Sequence, residues 1–246
     1  ISEENILGAL ILVVDTTEKH KLEMVRREFS SNVSHELKTP LTIINGYAEM
    51  IEAGMAKQED VKRFSSIIRE EGTRLLYLID SIMRLSKIEE KQAKDYFPVD
   101  VYSVAQDTAN RLSIAAADKN IDLHISGEKT IINANQTMIE ELLFNLIDNG
   151  IKYTKPLGNV SVDIGKDKYH CYIKISDTGI GIPKKDQGRI FERFYTVDKS
   201  RTRKTESTGL GLSIVKHIVE YHHGIIELRS QENKGTKIMV TLPNNL

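Results

Sequence analysis

Apolar residues that recur every three or four positions constrain the fold of this chain more than any other feature of its sequence. This spacing keeps one face of a helix apolar, so it predicts helices over 16–53 and 59–90 that are joined near Gly54. The second repeat alternates steps of three and four, as in a coiled-coil seam, and only Glu71 interrupts it. The apolar positions are Leu22, Val25, Phe29, Val33, Leu37, Leu41, Ile44, Ala48 and Ile51, followed by Val61, Phe64, Ile68, Leu75, Leu78, Ile82 and Leu85.

Two long helices joined by a short turn form a hairpin, and one hairpin cannot enclose two complete apolar stripes by itself. Two copies of the chain that associate into a four-helix bundle would bury both stripes. The sequence therefore predicts a homodimer. A hairpin that packs against another part of its own chain is the alternative.

His35 lies on the first of these helices, in the segment SHELKTPL. At about 100° per residue it faces away from the apolar stripe, because Val33 of the stripe precedes it by two positions. Glu36 is its neighbour in sequence, and Thr39 follows one turn later on the same face. Pro40 has no N–H for the carbonyl of Glu36, so the helix should bend or loosen near the histidine. This pattern predicts an exposed imidazole that is available for chemistry.

The composition excludes several functional classes. The formal net charge is −1 over 246 residues, so neither nucleic acid nor a membrane surface is expected as a partner. Cys171 is the only cysteine, so no internal disulfide can form, and a reducing, cytoplasmic location is expected. The apolar run 6–14 is too short to cross a membrane, since it is about half of the ~20 residues that a span needs. We predict a strand at 5–14 instead. Because the chain begins at Ile1, we expect a fragment of a longer protein whose missing N-terminal part carries a membrane anchor.

After residue 90 the pattern alternates between helices and strands, which predicts an α/β sandwich with helices on one face of a sheet. Helices are expected at about 101–118, 135–153 and 210–221. Strands are expected at 121–126, 130–133, 160–165, 169–176, 225–230 and 236–242. The predicted organisation is the end of an upstream sensor domain or linker at 1–17, the helical hairpin at 18–92, a linker at 93–98 and a second domain at 99–246.

The helix EELLFNLIDNGIKYT carries a polar ridge on an otherwise apolar surface. Asn145 and Asn149 are one turn apart, with Glu141 a turn earlier and Lys152 and Tyr153 a turn later. Amide and carboxylate oxygens suit a hard cation such as Mg²⁺, which shares its ligands with phosphates. Lys152 could reach a phosphate and the Tyr153 ring could lie against a base. In isolation, two such asparagines would more often cap a helix or lie exposed to solvent.

Two glycine-rich turns follow. In DTGIGIP, Asp177 ends a strand and can accept a hydrogen bond from an exocyclic amine such as that of adenine, while Gly179 and Gly181 allow close backbone approach. In STGLGLSIV, glycines open a helix, whose free N–H groups make an anion site. The segment 183–206 between the turns has eight Lys/Arg and four Asp/Glu. We interpret it as a flexible lid over a triphosphate, anchored by Phe191 and Phe194.

Together these segments resemble the sensor histidine kinases of bacterial two-component systems. SHELKTPL is similar to the phospho-acceptor box of that family, NLIDNGIKYT to its N box, DTGIGIP and TGLGLSIV to its two glycine boxes, and RIFERFY to its F box. The five boxes occur in the family's order, and the resemblance covers about residues 20–242. VVDTTE is more weakly similar to the exit of a PAS sensor domain.

The resemblance implies a dimeric phospho-acceptor hairpin and an ATP-binding domain of the gyrase, chaperone and histidine-kinase type. It implies that His35 is phosphorylated from Mg-ATP, that Glu36 is the neighbouring acid/base, and that Thr39 positions water for a phosphatase reaction. It also implies transfer to an aspartate of a response-regulator receiver domain, and a role as the cytoplasmic portion of a membrane sensor. The implied metal residues are Asn149, Asn145 and Glu141. The implied ATP-binding residues are Asn145, Asn149, Lys152, Tyr153, Asp177, Gly179, Gly181, Ile182, Phe194, Thr208, Gly209, Leu210, Gly211 and Leu212.

Two positions depart from the family pattern. Gly150 stands where alanine is usual, at a cost of about 1 kcal/mol in helix propensity. Ser207 stands where a glycine often begins the second glycine box.

Two other functions compete with the kinase, namely an ATPase of the same fold and a degenerate kinase that serves only as a dimeric scaffold. The ATPase leaves the SHELKTP helix unexplained, and the scaffold would require a missing nucleotide-site residue.

Overall fold

The computed structural model describes residues 15–90, 96–197 and 208–244. The predicted strand at 5–14 and most of the predicted N-terminal segment 1–17 lie outside the described residues, as does the part of the predicted lid from 198 to 207. None of the helices in the described ranges is long and apolar enough to cross a membrane.

The first two helices form the predicted hairpin. Helix α1 spans Thr17–Glu52 and helix α2 spans Gln58–Glu90. The Asp15 carboxylate accepts a hydrogen bond from the Thr17 N–H at 2.8 Å, which satisfies a free donor at the start of α1. Gly54 follows α1 with a φ of 67°, a left-handed conformation that glycine adopts without strain. α1 continues through Pro40, which is buried.

The apolar stripes of the hairpin have two different environments. Phe64 is buried, and its ring lies 4.8 Å from that of Tyr47 across the hairpin. Near the end of α2, Leu78, Leu85 and Ile88 are buried in the same cluster as the core of the second half of the chain. The alternative in which the hairpin packs against its own chain therefore holds for this part of α2. Other large apolar side chains of the hairpin are exposed, namely Met24, Leu41, Met50, Met55, Leu76, Tyr77, Ile79 and Met83.

The second half is the predicted α/β sandwich. Its helices are α3 (Val101–Asp118), α4 (Gln136–Tyr153) and α5 (Gly211–Tyr221). Its strands are β1 (Phe97–Asp100), β2 (Asp122–Gly127), β3 (Ile131–Ala134), β4 (Asn159–Lys166), β5 (His170–Asp177), β6 (Ile225–Gln231) and β7 (Gly235–Pro243). Five strands form a sheet in the order β2-β4-β5-β7-β6, in which only β2 and β4 are parallel. Buried and partly exposed residues alternate along β4 and β5, so one face of the sheet meets the helices.

The C-terminal end of the predicted linker at 93–98 lies in a strand that the sequence analysis did not predict. Phe97 and Pro98 belong to β1, which pairs antiparallel with β3 in a separate two-stranded sheet. Both side chains are exposed and only Val99 of this strand is buried, so the strand has no alternating apolar signal. Proline, which cannot donate to a ladder, is tolerated because this short ribbon leaves one edge unpaired.

Candidate functional site

His35 is exposed on α1, as its position opposite the apolar stripe predicts. The Thr39 hydroxyl donates to the His35 carbonyl oxygen at 3.2 Å, so the two residues are linked along one face of the helix. Beside them, the Glu36 carboxylate lies 3.8 Å from the guanidinium of Arg74 on α2. Arg74 also lies 3.7 Å from Glu71, so the residue that interrupts the apolar seam has a charged partner inside the hairpin.

A cavity of about 480 Å³ lies in the second half of the chain, a size suited to a small ligand. Its wall combines the last turns of α4, the end of β5 with the turn after it, the segment up to residue 197, the start of α5, and the turn between β6 and β7 with the first half of β7. Six of the predicted nucleotide residues line it, namely Asn149, Tyr153, Asp177, Gly181, Ile182 and Leu212. Residues from five separate stretches of sequence therefore meet at one cavity.

Asp177 is held in the cavity wall by backbone N–H groups. Its Oδ1 accepts from Gly179 N at 2.8 Å and from Thr236 N at 3.2 Å. Burial raises the pKa of the carboxyl, and the two N–H bonds oppose that rise. Because both bonds end on Oδ1, Oδ2 is the atom left to accept from a ligand. This geometry suits the role predicted for Asp177.

The glycine turns are shaped by close backbone contacts. Gly181 has a φ of 65°, and a β-carbon there would overlap the carbonyl oxygen of Gln231. Gly209 has a φ of 70°, and a β-carbon there would lie 2.7 Å from the carbonyl carbon of Phe194. A larger residue at either position would push two chain segments apart, so these glycines maintain the cavity wall.

The two amides of the polar ridge face the start of α5. A β-carbon at Gly211 would lie 2.9 Å from Asn145 Oδ1 and 3.6 Å from Asn149 Nδ2, so the absent side chain leaves space next to both amides. Asn145 Nδ2 donates to the Glu141 carbonyl oxygen at 2.7 Å, which leaves Oδ1 toward that space. An amide oxygen beside open space suits a hydrated hard cation such as Mg²⁺. In the described ranges, no three His, Cys, Asp or Glu side chains are placed to hold a metal ion.

Two predicted ligand residues have protein partners in this structure. Arg84 of α2 donates to both carboxylate oxygens of Glu141 at 3.3 Å. The Lys152 ammonium lies 2.9 Å from Asp148 one turn earlier on α4. Neither side chain lines the cavity, so each would have to leave its partner to reach a phosphate or a metal ion.

Phe194 connects the cavity region to α1. It has a left-handed φ of 61°, and its ring packs against the core and lies 5.8 Å from the Phe29 ring of α1. The neighbouring Arg193 guanidinium lies 5.2 Å from the centre of the same Phe29 ring.

Thr208, Gly209 and Leu210 form the turn before α5, in which Leu210 N lies 3.4 Å from the Thr208 hydroxyl. These three residues shape the approach to α5 without lining the cavity.

The sequence did not reveal several residues of the wall. Asp186 and Tyr195 line the cavity, and the Tyr195 hydroxyl donates to the Asp186 carboxylate at 2.7 Å. This bond raises the pKa of Tyr195. Backbone bonds from Asp186 N to Pro183 O and from Arg189 N to Asp186 O form successive turns, so this half of the predicted flexible lid has defined structure. A polar tyrosine and an aspartate in a charged segment carry no periodic signal that could have identified them.

Comparisons with known proteins agree with these two regions. Residues 25–91 match the His Kinase A (phospho-acceptor) domain, and residues 134–246 match the Histidine kinase-, DNA gyrase B-, and HSP90-like ATPase domain. The chain therefore belongs to the histidine kinase family, with a phospho-acceptor domain followed by an ATPase domain.

Two relatives illustrate the match. Over 96% of its length the chain is 37% identical to the sensor histidine kinase WalK of Bacillus subtilis, and it spans 39% of that protein. The histidine kinase AdeS of Acinetobacter baumannii is 25% identical, with a TM-score of 0.68 over 86% of this chain and 98% of that one. A further solved structure, the histidine kinase ThkA in complex with the response regulator protein TrrA, supports the fold. It has a TM-score of 0.71 at 24% identity and covers 94% of this chain and 67% of that one.

Proposed function

We propose that this chain transfers the γ-phosphoryl group of ATP to His35 and then to an aspartate of a response-regulator receiver domain. The observation that carries the proposal is the presence, in one chain, of an exposed His35 beside Glu36 on the hairpin and a cavity lined by the first glycine turn and by Leu212 of the second glycine-rich segment. An ATPase of the same fold would need only the cavity, and a scaffold would need neither.

The chemistry at His35 requires little beyond positioning. An imidazole nitrogen attacks the γ-phosphorus in line, so an N–P bond forms while the P–O bond to ADP breaks. Glu36 accepts a hydrogen bond from the other ring nitrogen, which selects the tautomer and supports the developing positive charge. Arg74 keeps Glu36 on the side of α2, so Glu36 must rotate away from the arginine to do this. The reverse task, removal of phosphate from the partner, would use Thr39 to position a water molecule.

We assign the nucleotide to the cavity through the chemistry of its wall. Asp177 Oδ2 accepts from the exocyclic amine of adenine, and Tyr153 and Ile182 flank the base. Lys152 exchanges Asp148 for a phosphate, and the turn formed by Thr208, Gly209, Leu210 and Gly211 presents N–H groups to phosphate oxygens. Asn145 and Asn149 would hold Mg²⁺, with Glu141 as a third ligand when it leaves Arg84. Mg²⁺ supplies neutralisation of phosphate charge when it is bound.

We further propose that the working unit is a homodimer. Exposed leucine, isoleucine and methionine side chains on α1 and α2 form apolar surface that a second hairpin would cover.

The response regulator would dock on the bundle below His35, near Ile43, Tyr47 and Met50. Met50 is 39% exposed and Ile43 is half-buried, whereas the Tyr47 ring packs on Phe64. Charge substitutions at Ile43 and Met50 that left phosphotransfer unchanged would exclude this surface as the docking site.

The family resemblance suggests that the full protein is a membrane-anchored sensor with this portion in the cytoplasm.

The test is incubation with γ-labelled ATP and Mg²⁺, followed by gel analysis of the native chain and His35→Gln. We expect acid-labile, alkali-stable label on the native chain only. His20→Gln is the matched control, since His20 is also exposed on α1, and it should be labelled normally. ATP binding without any label would support the scaffold, turnover of ATP without label would support the ATPase, and label on His35→Gln would identify a different acceptor.

A further inference from the structure

The C-terminal end of α4 carries the nucleotide residues Asn149, Lys152 and Tyr153. The last four carbonyls of any helix have no intrahelical N–H partner and must be satisfied in another way. In α4, Gly150 O accepts from Thr154 N at 3.0 Å, and Tyr153 O accepts from Ile180 N at 3.1 Å. The second of these bonds ties the helix end directly to the first glycine turn.

The two carbonyls between them are bound by a side chain from elsewhere in the fold. Lys119 follows the last residue of α3, and its ammonium donates to Ile151 O at 3.0 Å and to Lys152 O at 2.9 Å. A cation at this position also complements the negative end of the helix dipole. Lys119 therefore satisfies half of the free carbonyls of the helix end that faces the cavity.

The surrounding charges give Lys119 a second effect on the same turn. Burial lowers the pKa of its ammonium, Asp148 opposes that shift, and Lys152 adds to it. Asp148 thus interacts electrostatically with two cations, Lys119 and its direct partner Lys152. When Lys152 moves toward a phosphate, Lys119 remains as a positive charge near Asp148, which lowers the cost of separating that ion pair.

We propose that Lys119 is a positioning residue of the nucleotide site, which acts by fixing the last turn of α4 against the first glycine turn. It does not line the cavity, so its effect on nucleotide is indirect. The inference rests on the proposed function, because it assigns the cavity to ATP.

The test compares Lys119→Met with Lys119→Arg in the whole chain by calorimetric titration with Mg-ATP and by thermal melting. Loss of two charge-assisted bonds to the helix end should weaken ATP binding by about tenfold in Lys119→Met. Lys119→Arg keeps a donor cation and should stay within about threefold of the native affinity. Lys166→Met is the matched control, since Lys166 also donates to a carbonyl, Lys129 O at 3.2 Å, but at the C-terminal end of β4, whereas Val160 at the other end of that strand is the part that packs near α4. It should bind ATP normally.

Hydrogen exchange supplies a readout that does not depend on nucleotide. The amides of Thr154 and Ile180 should exchange faster in Lys119→Gln than in the native chain, while those of β4 and β5 stay protected. Native ATP affinity in a folded Lys119→Met, or native exchange at both amides in Lys119→Gln, would overturn the proposal. If the native chain itself bound no ATP, the proposed function would fail, and the exchange at Thr154 and Ile180 would still decide whether Lys119 holds the helix end. If Lys119→Met did not fold, the same exchange experiment and Lys119→Arg would decide.

Discussion

Replacing Asp177 by asparagine should weaken ATP binding while the fold remains intact, although the two side chains have the same shape. The N–H groups of Gly179 and Thr236 both donate to Oδ1, at 2.8 and 3.2 Å. An asparagine must therefore place its amide oxygen at that position, and its NH₂ group takes the place of Oδ2. The exocyclic amine of adenine would then meet a second donor.

The size of the effect follows from the unsatisfied donors. A buried polar group that loses its partner costs about 1–3 kcal/mol, which corresponds to about a 5- to 150-fold increase in Kd. The free energy of unfolding, unlike the affinity for ATP, should not fall in this variant. Burial raises the pKa of Asp177, so above that pKa the charged carboxylate lowers the free energy of unfolding. A neutral amide removes this cost, and the melting temperature should be unchanged or higher.

Calorimetric titration with ATP and with inosine triphosphate would test this reasoning, alongside thermal melting. Inosine has a carbonyl oxygen where adenine has its amine, so Asp177→Asn should lose affinity for ATP and gain it for the inosine nucleotide. Asp107→Asn, on the exposed face of α3, is the control and should leave both affinities unchanged. Native ATP affinity in Asp177→Asn, or equal loss for both nucleotides with a lower melting temperature, would refute the argument.

Two further predictions concern stability. The buried His222 accepts a hydrogen bond from Asn135 N at 3.1 Å through Nε2, and burial lowers the pKa of its imidazole below the ordinary 6.5. The neutral imidazole therefore contributes fully to the free energy of unfolding above about pH 6.5, and this contribution is lost as the pH falls below that value. Urea unfolding at several pH values should show this loss in the native chain and a smaller one in His222→Gln. If the free energy of unfolding fell equally steeply with pH in both proteins, the prediction would be wrong. Gly150→Ala gains about 1 kcal/mol of helix propensity, but its β-carbon would lie 3.0 Å from Val160 Cγ1. Because overpacking costs about 1–3 kcal/mol, we expect a net loss of about 1 kcal/mol in urea unfolding, and a stabilised variant would show that Val160 yields.

The Gly150 case shows how the structure changes the meaning of a sequence feature. From the sequence, glycine in place of the usual alanine implies a weakened helix. In the structure, Gly150 is buried in contact with a stiff β-branched side chain of β4. The departure from the family pattern therefore has a packing reason that lies on another element of the fold.

Local sequence patterns predict most of the secondary-structure elements and the chemical groups of the candidate site. Helix periodicity placed α1 and α2 to within a residue or so of their observed ends, and the same pattern placed His35 on the exposed face. The spacing also predicts that Asp177 stands at the end of a strand and before a glycine turn, where the structure has it. These features depend on residues close together in the chain, where spacing translates directly into geometry.

Which distant groups meet, by contrast, depends on how the elements pack in three dimensions. Thr236 donates to Asp177 across 59 positions, because β5 and β7 pair in a register that places the two residues opposite each other. Lys119 reaches the end of α4 across more than 30 positions. Phe29 meets Phe194 because the hairpin packs on the second half of the chain. Strand register and packing between layers depend on many weak contacts at once, and no local spacing in the sequence encodes them.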